Sequence, residues 1–147
     1  MRIMGLDVGS KTVGVALSDP TGTFGQPFCV LRRTSDLRDM ARLSSIIDEN
    51  EVVQVVVGLP RNMDGSLGES AIRASRFAEA LRARTSVPVV TWDERLSTVS
   101  AERALVEADV SRRRRKGLVD SVAATIILQS YLDSLANRDR GLEGRES

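Results

Sequence analysis

Histidine is absent from the 147 residues of this chain, and a single cysteine, Cys29, is present. Without histidine, the chain can form neither a Ser-His-Asp triad nor the usual zinc sites, and acid–base catalysis by imidazole is excluded. One cysteine excludes an internal disulfide and is typical of a reducing compartment. Any metal chemistry must therefore rest on carboxylates, which favour hard ions such as Mg²⁺ or Mn²⁺.

An excess of either charge is also lacking, since 21 Lys and Arg residues stand against 20 Asp and Glu residues. A surface that binds nucleic acid must then be a local patch. No apolar stretch approaches the roughly 18 residues of a membrane span and no signal peptide is recognisable, so we expect a cytoplasmic protein with no membrane partner. Aromatic residues make up only 3% of the chain. Recognition of a nucleic acid should therefore depend on its backbone and shape, with little base stacking.

The first 19 residues contain two apolar runs, Arg2 to Val8 and Thr12 to Ser18, which predict a β-hairpin with a turn near Gly9. Asp7 lies at the end of the first run, where a carboxylate needs hydrogen bonds, a cation or a metal. The alternative is that Asp7 opens the turn and bonds to its own backbone. Glycines on both sides of Asp7 would let a backbone or a ligand approach it closely.

Hydrophobic periodicity and turn signals predict the remaining elements. Further strands are expected at Phe24–Leu31, Val52–Val57 and Val87–Trp92. Helices are expected to begin at Ser35 or Asp36, at a capping box Ser66-x-x-Glu69, at Ser97 and at about Leu118. Their apolar faces are predicted to contain Leu37, Met40, Leu43 and Ile47 in the first, Ala71, Ala74, Ala78 and Leu81 in the second, and Ala101, Ala104, Leu105 and Ala108 in the third.

The order β-β-β-α-β-α-β-α-α predicts an α/β fold with a mixed central sheet, in which three antiparallel strands are followed by parallel strands, flanked by α-helices. We expect a single domain over residues 1–136, with the last helix ending near Leu135. Residues 137–147 are too polar to bury and are expected to form a disordered tail.

Two more carboxylates accompany Asp7. Glu94 follows the Val87–Trp92 strand, so it is expected at the same edge of the sheet, because ligands of such sheets bind beyond the carboxyl ends of parallel strands. Asp120 shares a helix face with Ala123, Ala124, Ile127 and Tyr131. A carboxylate on an apolar face is costly unless it is paired, so Asp120 is expected to point toward Asp7 and Glu94.

Three clustered carboxylates would raise one another's pKa values unless a cation lay among them. Divalent ions at such a cluster can activate water and stabilise the leaving oxygen of a phosphodiester. The alternative is that residues 93–95 form a solvated loop and that Asp120 pairs with one of the arginines before it. The residues alone leave both interpretations open.

Four motifs together resemble one family. They are DxGxxxxGxAxSD at Asp7–Asp19, GLPxxxDGSxG at Gly58–Gly68, DERLST at Asp93–Thr98, and RKGLVDSVAATIILQSYL at Arg115–Leu132. In this order they resemble the YqgF family, also called RuvX, the pre-16S ribosomal RNA nucleases or Holliday junction resolvases. The resemblance implies an RNase H-like fold and an endonuclease dependent on Mg²⁺ or Mn²⁺, in which Asp7, Glu94 and Asp120 match the acidic positions. Water would attack phosphorus in line and leave a 5′-phosphate and a 3′-hydroxyl.

The partners expected from this resemblance are pre-ribosomal RNA or branched DNA, and ribosomal particles, bound by a monomer or a homodimer. A junction resolvase needs a two-fold dimer, and no segment is a clear dimerisation helix, so 5′-end maturation of pre-16S RNA is preferred. Candidate phosphate contacts are Lys11, Arg61 and Arg95, together with the basic run Arg112, Arg113, Arg114, Arg115 and Lys116.

Two other functions compete with a nuclease. Sugar-kinase-like and actin-like ATPases also begin with an Asp-x-Gly hairpin, but they need two such domains around a nucleotide, and this chain has room for one. A non-catalytic nucleic-acid-binding factor for ribosome assembly could keep the acids for stability alone.

Overall fold

The computed structural model describes the backbone at residues 1–96 and 116–146 and the side chains at residues 1–95 and 121–138. Five strands are described: β1 Arg2–Val8, β2 Thr12–Ser18, β3 Gly25–Arg32, β4 Val52–Leu59 and β5 Val89–Asp93. The described helices are α1 Asp36–Glu49, α2 Glu69–Arg82 and α3 Lys116–Glu146, and a 3₁₀ turn covers Glu94–Leu96. Within the described ranges, none of these helices is long and apolar enough to cross a membrane.

The strands form one mixed sheet in the order β3-β2-β1-β4-β5. Antiparallel pairing joins β1 to β2 and β2 to β3, whereas β1 pairs with β4 and β4 with β5 in parallel. The β1–β2 turn is closed by the Gly9 amide, which donates to the Thr12 carbonyl at 2.8 Å. The predicted hairpin and the predicted mixed sheet are therefore confirmed.

The two faces of the sheet are covered by different helices. One core cluster joins Val55 and Val57 to apolar residues of α1 and α2, while Val56, between them, packs with Ile127 of α3. This alternation explains the nearly continuous valine run of β4, which must be apolar toward both layers. The run is exposed only near its beginning, at Val53.

Helix α3 approaches β1 unusually closely. A Cβ atom added to Gly5 would lie 2.7 Å from the Leu128 Cβ and 3.0 Å from the Ala124 carbonyl oxygen. Ala16 of β2 and Ala124 are fully buried in the same cluster. The small residues at these positions thus let the backbone of α3 lie directly on the sheet.

Helix α1 begins as predicted, because the Ser35 hydroxyl accepts a hydrogen bond from the Arg38 amide at 3.3 Å. Leu37, however, is 60% exposed, so its predicted place on the apolar face is wrong. Asp39 is buried instead, and its carboxylate accepts bonds from the amide and hydroxyl of Thr34, each at 3.1 Å. In the first turn of α1, the hydrogen-bonded Asp39 is therefore buried, whereas the helical period predicted that Leu37 would be.

The predicted capping box of α2 is also wrong. Gly68 is the N-cap and makes no side-chain capping bond. The Ser66 hydroxyl donates to the Asp64 carboxylate at 2.6 Å and accepts from the Asn62 amide at 3.0 Å. The loop's own hydrogen bonds therefore occupy the serine. The predicted apolar face of α2 is confirmed, since Ala71, Ala74, Ala78 and Leu81 are buried.

The remaining differences concern where elements begin and end. Strand β5 begins at Val89, two residues later than predicted, directly after Pro88, which has no amide to donate. Helix α3 continues to Glu146, past the predicted end at Leu135, through the residues predicted as a polar tail. This stretch contains no proline, and helix propagation needs only one further hydrogen bond per residue. The helix predicted from Ser97 lies outside the described residues.

Candidate active site

The strand register brings Asp7 and Glu94 to one edge of the sheet. Leu6 of β1 lies opposite Val57 of β4, so Asp7 is adjacent to Gly58. Gly58 in turn lies opposite Trp92 of β5, and Glu94 follows that strand directly. The two carboxylates therefore occupy the carboxyl ends of parallel strands, on either side of the end of β4.

Both acids also belong to the face covered by α3. Gly5 contacts α3, and Asp7, two residues later, is on the same side of the strand. The Glu94 side chain is buried, and its Oε2 lies 3.3 Å from where a Gly58 Cβ would stand. Ile127 of α3 borders the same space. Gly58 thus leaves room for a carboxylate between the end of β4 and α3.

The backbone of α3 brings residue 120 to the same edge. Residue 120 is one helical turn, or about 6 Å, before Ala124, which lies against Gly5. The helix runs antiparallel to β1, because Gln129 bonds to the Gly25 amide at the opposite edge, at 2.8 Å. Asp7 is about 7 Å beyond Gly5 in that same direction. The Asp120 side chain lies outside the described set, and among the side chains within it no three acidic or cysteine residues form a metal-holding group.

Asp93 organises the loops beside this edge, although the sequence alone did not single it out. Its carboxylate accepts from the Arg95 amide at 2.9 Å and from the Arg95 guanidinium at 2.8 Å, and Arg61 Nε lies 3.8 Å away. The hydrogen bond from Arg95 holds the pKa of Asp93 below its usual value and raises the pKa of Arg95. The D-x-R spacing at the end of a predicted strand is the signal that could have indicated this pair.

The Arg95 guanidinium also lies against the loop between β4 and α2, which contains Gly65. Its Nη1 is 3.4 Å from where a Gly65 Cβ would stand, and Gly65 has φ +89°, a conformation that side chains rarely adopt. Two of the predicted phosphate-binding residues, Arg61 and Arg95, therefore share one carboxylate. Their side chains remain 38% and 33% exposed, so both can still be reached by a ligand.

The other predicted phosphate contacts are more scattered. Lys11 is exposed in the β1–β2 turn, and its carbonyl accepts a bond from the Arg33 amide at 2.8 Å. The run Arg112–Arg115 lies outside the described residues. Lys116 is the first residue of α3, and its side chain is outside the described set. Of the predicted basic residues, the structure thus brings Lys11, Arg61 and Arg95 near the carboxylate edge.

Solved structures with this arrangement of strands and helices define the class of the fold. Thermus thermophilus RuvC in complex with a Holliday junction substrate superposes with a TM-score of 0.59 at 14% identity, over 93% of this chain and 96% of that one. The fowlpox virus resolvase, in a complex with Holliday junction DNA, gives 0.55 at 12% identity, over 92% and 99%. The fold is therefore RNase H-like, as predicted.

Comparison with related sequences identifies the family within this fold class. The family model RuvX, described as Holliday junction resolvase, matches residues 1–134. A Thermoanaerobacter pseudethanolicus protein named "Putative pre-16S rRNA nuclease" is 51% identical over 139 residues, 94% of this chain and 100% of that protein. A Moorella thermoacetica protein of the same name is 55% identical over 135 residues, 92% and 96%. This chain belongs to the RuvX family, and it is a nuclease, a hydrolase of phosphodiester bonds.

Proposed function

We propose that Asp7, Glu94 and Asp120 form the catalytic centre of this nuclease and together hold Mg²⁺ or Mn²⁺. The observation that carries the proposal is the burial of Glu94, which is 2% exposed at the same sheet edge and on the same face as Asp7. Bringing a carboxylate into such a place is costly unless charge or hydrogen bonds compensate it. A cation shared with a second carboxylate supplies that compensation.

The donor set fits a hard divalent cation. The proposed ligands are all carboxylate oxygens, which Mg²⁺ and Mn²⁺ prefer, and the chain has no histidine that would favour zinc. When bound, such an ion polarises the phosphate and lowers the pKa of water. The Glu94 side chain is buried between the end of β4 and α3, whereas the partly exposed Asp7 remains reachable by substrate. Lys11, Arg61 and Arg95 flank the edge and hold the neighbouring phosphates of the strand.

The substrate proposed for the cell is the 5′ end of pre-16S ribosomal RNA, in the cytoplasm and on ribosomal particles. The names carried by the relatives support it. A four-way DNA junction is the alternative, which the description of the family model favours. Cutting a junction in paired positions requires a two-fold dimer. The oligomeric state on each substrate therefore separates the two functions.

The deciding experiment uses end-labelled pre-16S leader RNA and a mobile four-way junction, each with Mn²⁺ or EDTA. We expect Asp7→Asn, Glu94→Gln and Asp120→Asn each to abolish metal-dependent cleavage while the protein stays folded. Asp48→Asn, a change of the same kind at an exposed position of α1, serves as the matched control and should cut like wild type. Equal cutting by Asp7→Asn, or loss of folding in all three variants, would favour a structural role for the acids.

Metal binding can be measured without cleavage. Mn²⁺ at a hundred times its dissociation constant should stabilise the wild type by about 2.7 kcal/mol. For a domain of this size that corresponds to a rise in Tm of about 5–10 °C. The charge-removing variants should lose this rise, and without metal they should unfold at or above the wild-type temperature, because carboxylate repulsion is relieved. A metal-independent Tm in the wild type would contradict the proposed site.

A further inference from the structure

A groove opens between α1 and α2, on the face of the sheet opposite α3. Its volume is about 530 Å³, and its lining includes three arginines, Arg33, Arg73 and Arg76. Two carboxylates, Asp36 and Glu69, also line it. The groove therefore has an excess of positive charge within a protein whose net charge is only +1. Such a local concentration of arginine attracts phosphate groups.

Two of the three arginines, Arg73 and Arg76, are only weakly engaged by carboxylates. Arg76 forms no salt bridge with any residue that the structure describes. Arg73 Nη2 is 3.9 Å from Glu69, whose side chain is 94% exposed, so this is a weak surface pair. Arg33 is held more firmly, because its Nε lies 3.8 Å from the buried carboxylate of Asp39. An anionic ligand could therefore replace Glu69 as the partner of Arg73 and add a partner for Arg76, beside a fixed Arg33.

Arg33 links the groove to the β1–β2 turn, which lies beside the carboxylate edge. Arg33 Nη1 donates to the carbonyl of Gly9 at 3.3 Å, and the Arg33 amide donates to the carbonyl of Lys11. Gly9 is two strand residues beyond Asp7, so the Arg33 guanidinium lies about 10 Å from the Asp7 backbone. Arg76 is about 10 Å further along α2, counted from its first residue Glu69. A strand that leaves the carboxylate edge must therefore span about 20 Å to reach Arg76, which is a path of several nucleotides.

The groove contacts phosphates better than bases. Phe77 is the aromatic residue in its lining, but it is 3% exposed and the Arg33 guanidinium already covers its ring at 5.3 Å. Base stacking on this ring is therefore blocked. Binding through arginine alone carries no base readout, so it tolerates any sequence.

We propose that this groove, defined by Arg33, Arg73 and Arg76, binds the phosphate backbone of the substrate strand several nucleotides from the cleaved bond. The proposal rests on the proposed nuclease function. Because Arg33 contacts the turn that carries Gly9 and Lys11, a strand held at the carboxylate edge passes beside the groove, which favours a strand over a free mononucleotide as its ligand. The groove thus adds contacts to the substrate strand on one side of the cleaved bond.

Binding measured in EDTA tests the groove without cleavage. Fluorescence anisotropy would compare wild type, Arg76→Ala and Arg73→Ala/Arg76→Ala on single-stranded RNAs with eight or two nucleotides on either flank. Arg84→Ala, which removes an exposed arginine two residues after the end of α2, is the matched control. Arg76→Ala should weaken the long RNA about fivefold and lower the slope of log affinity against log salt by about 0.7, and the double variant by about 1.4. The loss of affinity and the decrease in slope should both disappear when the flank that reaches the groove is shortened to two nucleotides.

Three other results would contradict the groove proposal. Equal affinity of Arg76→Ala and Arg84→Ala for the long RNA shows that the groove does not touch the strand. A loss that persists on RNAs short on both flanks shows a nonspecific charge effect. A fluorophore can be attached at an Ile72→Cys substitution in the Cys29→Ala protein. A change in its fluorescence with AMP but not with the RNA shows a small-molecule site. Cleavage is scored separately: a wild type that binds as predicted but cuts neither substrate with Mn²⁺ refutes the proposed function alone.

Discussion

The close contact between Gly5 and α3 predicts that Gly5→Ala destabilises the protein. In Gly5→Ala, the new Cβ would lie 2.7 Å from the Leu128 Cβ and 3.0 Å from the Ala124 carbonyl oxygen. Neither atom can rotate away, because one is the first atom of its side chain and the other belongs to the helix backbone. The helix itself must therefore move outward from β1.

The expected cost follows from two opposing effects. Overpacking a well-packed core costs about 1–3 kcal/mol, and a rigid obstacle places this change at the upper end. Replacing glycine by alanine returns about 0.4–1 kcal/mol by restricting the unfolded chain. We expect a net loss of about 2 kcal/mol in the free energy of unfolding, or a fall in Tm of about 4–8 °C. Since α3 carries Asp120, a displacement approaching 1 Å should also reduce cleavage about a hundredfold.

Gly58→Ala provides the contrast for the same assays, urea unfolding and cleavage with Mn²⁺. Its Cβ would lie 2.5 Å from Ile127 Cδ1, the flexible end of a side chain. Ile127→Val removes that atom, so the double variant should recover about 1 kcal/mol relative to the sum of the single changes. Leu128→Ala keeps its Cβ and should not rescue Gly5→Ala. Full stability and activity in Gly5→Ala, or its rescue by Leu128→Ala, would refute the reasoning.

Three further predictions concern single polar side chains. Gln129→Leu should cost about 2 kcal/mol in urea unfolding, because its amide makes two hydrogen bonds to the backbone of the β2–β3 loop. Asp19 has its pKa lowered to about 2 by hydrogen bonds from that loop, chiefly from a threonine hydroxyl; the stability it contributes should be present above about pH 4 and lost as the pH falls toward 2, and Asp19→Asn should remove this dependence in acid-unfolding curves. Asp93→Ala should speed hydrogen exchange at the Arg95 amide, which it leaves without its acceptor; unchanged exchange there would mean that the Asp93 cluster does not persist in solution.

The sheet could be predicted from the sequence because its signals are local. The apolar runs on either side of Gly9 alternate between two buried layers, and the valines of β4 must be apolar toward both. Strand ends were less accurate, since Pro88 lacks the amide that a strand residue would donate.

The sequence could not show which hydrogen-bond or ion-pair partner each polar side chain has in the fold. Ser66 has the spacing of a capping box, but Asp64 and Asn62 compete for its hydroxyl within the loop. Asp39 is buried where the helical period favours Leu37, because its carboxylate finds donors at Thr34. Asp93 was overlooked beside Glu94, since its partner Arg61 is distant in the chain and becomes adjacent only when β4 and β5 pair.

The order in which the chain is made gives the packing of α3 a consequence for the timing of activity. A nascent chain emerges with β1 and Asp7 first, while α3, which covers one face of the sheet and carries the third proposed acid, follows all five described strands. Until α3 is made, Ile3, Ala16 and Val56 lack their contacts with this helix and the proposed centre lacks a ligand. A chain synthesised only as far as the 3₁₀ turn after β5 thus holds two of the proposed acids but not the third.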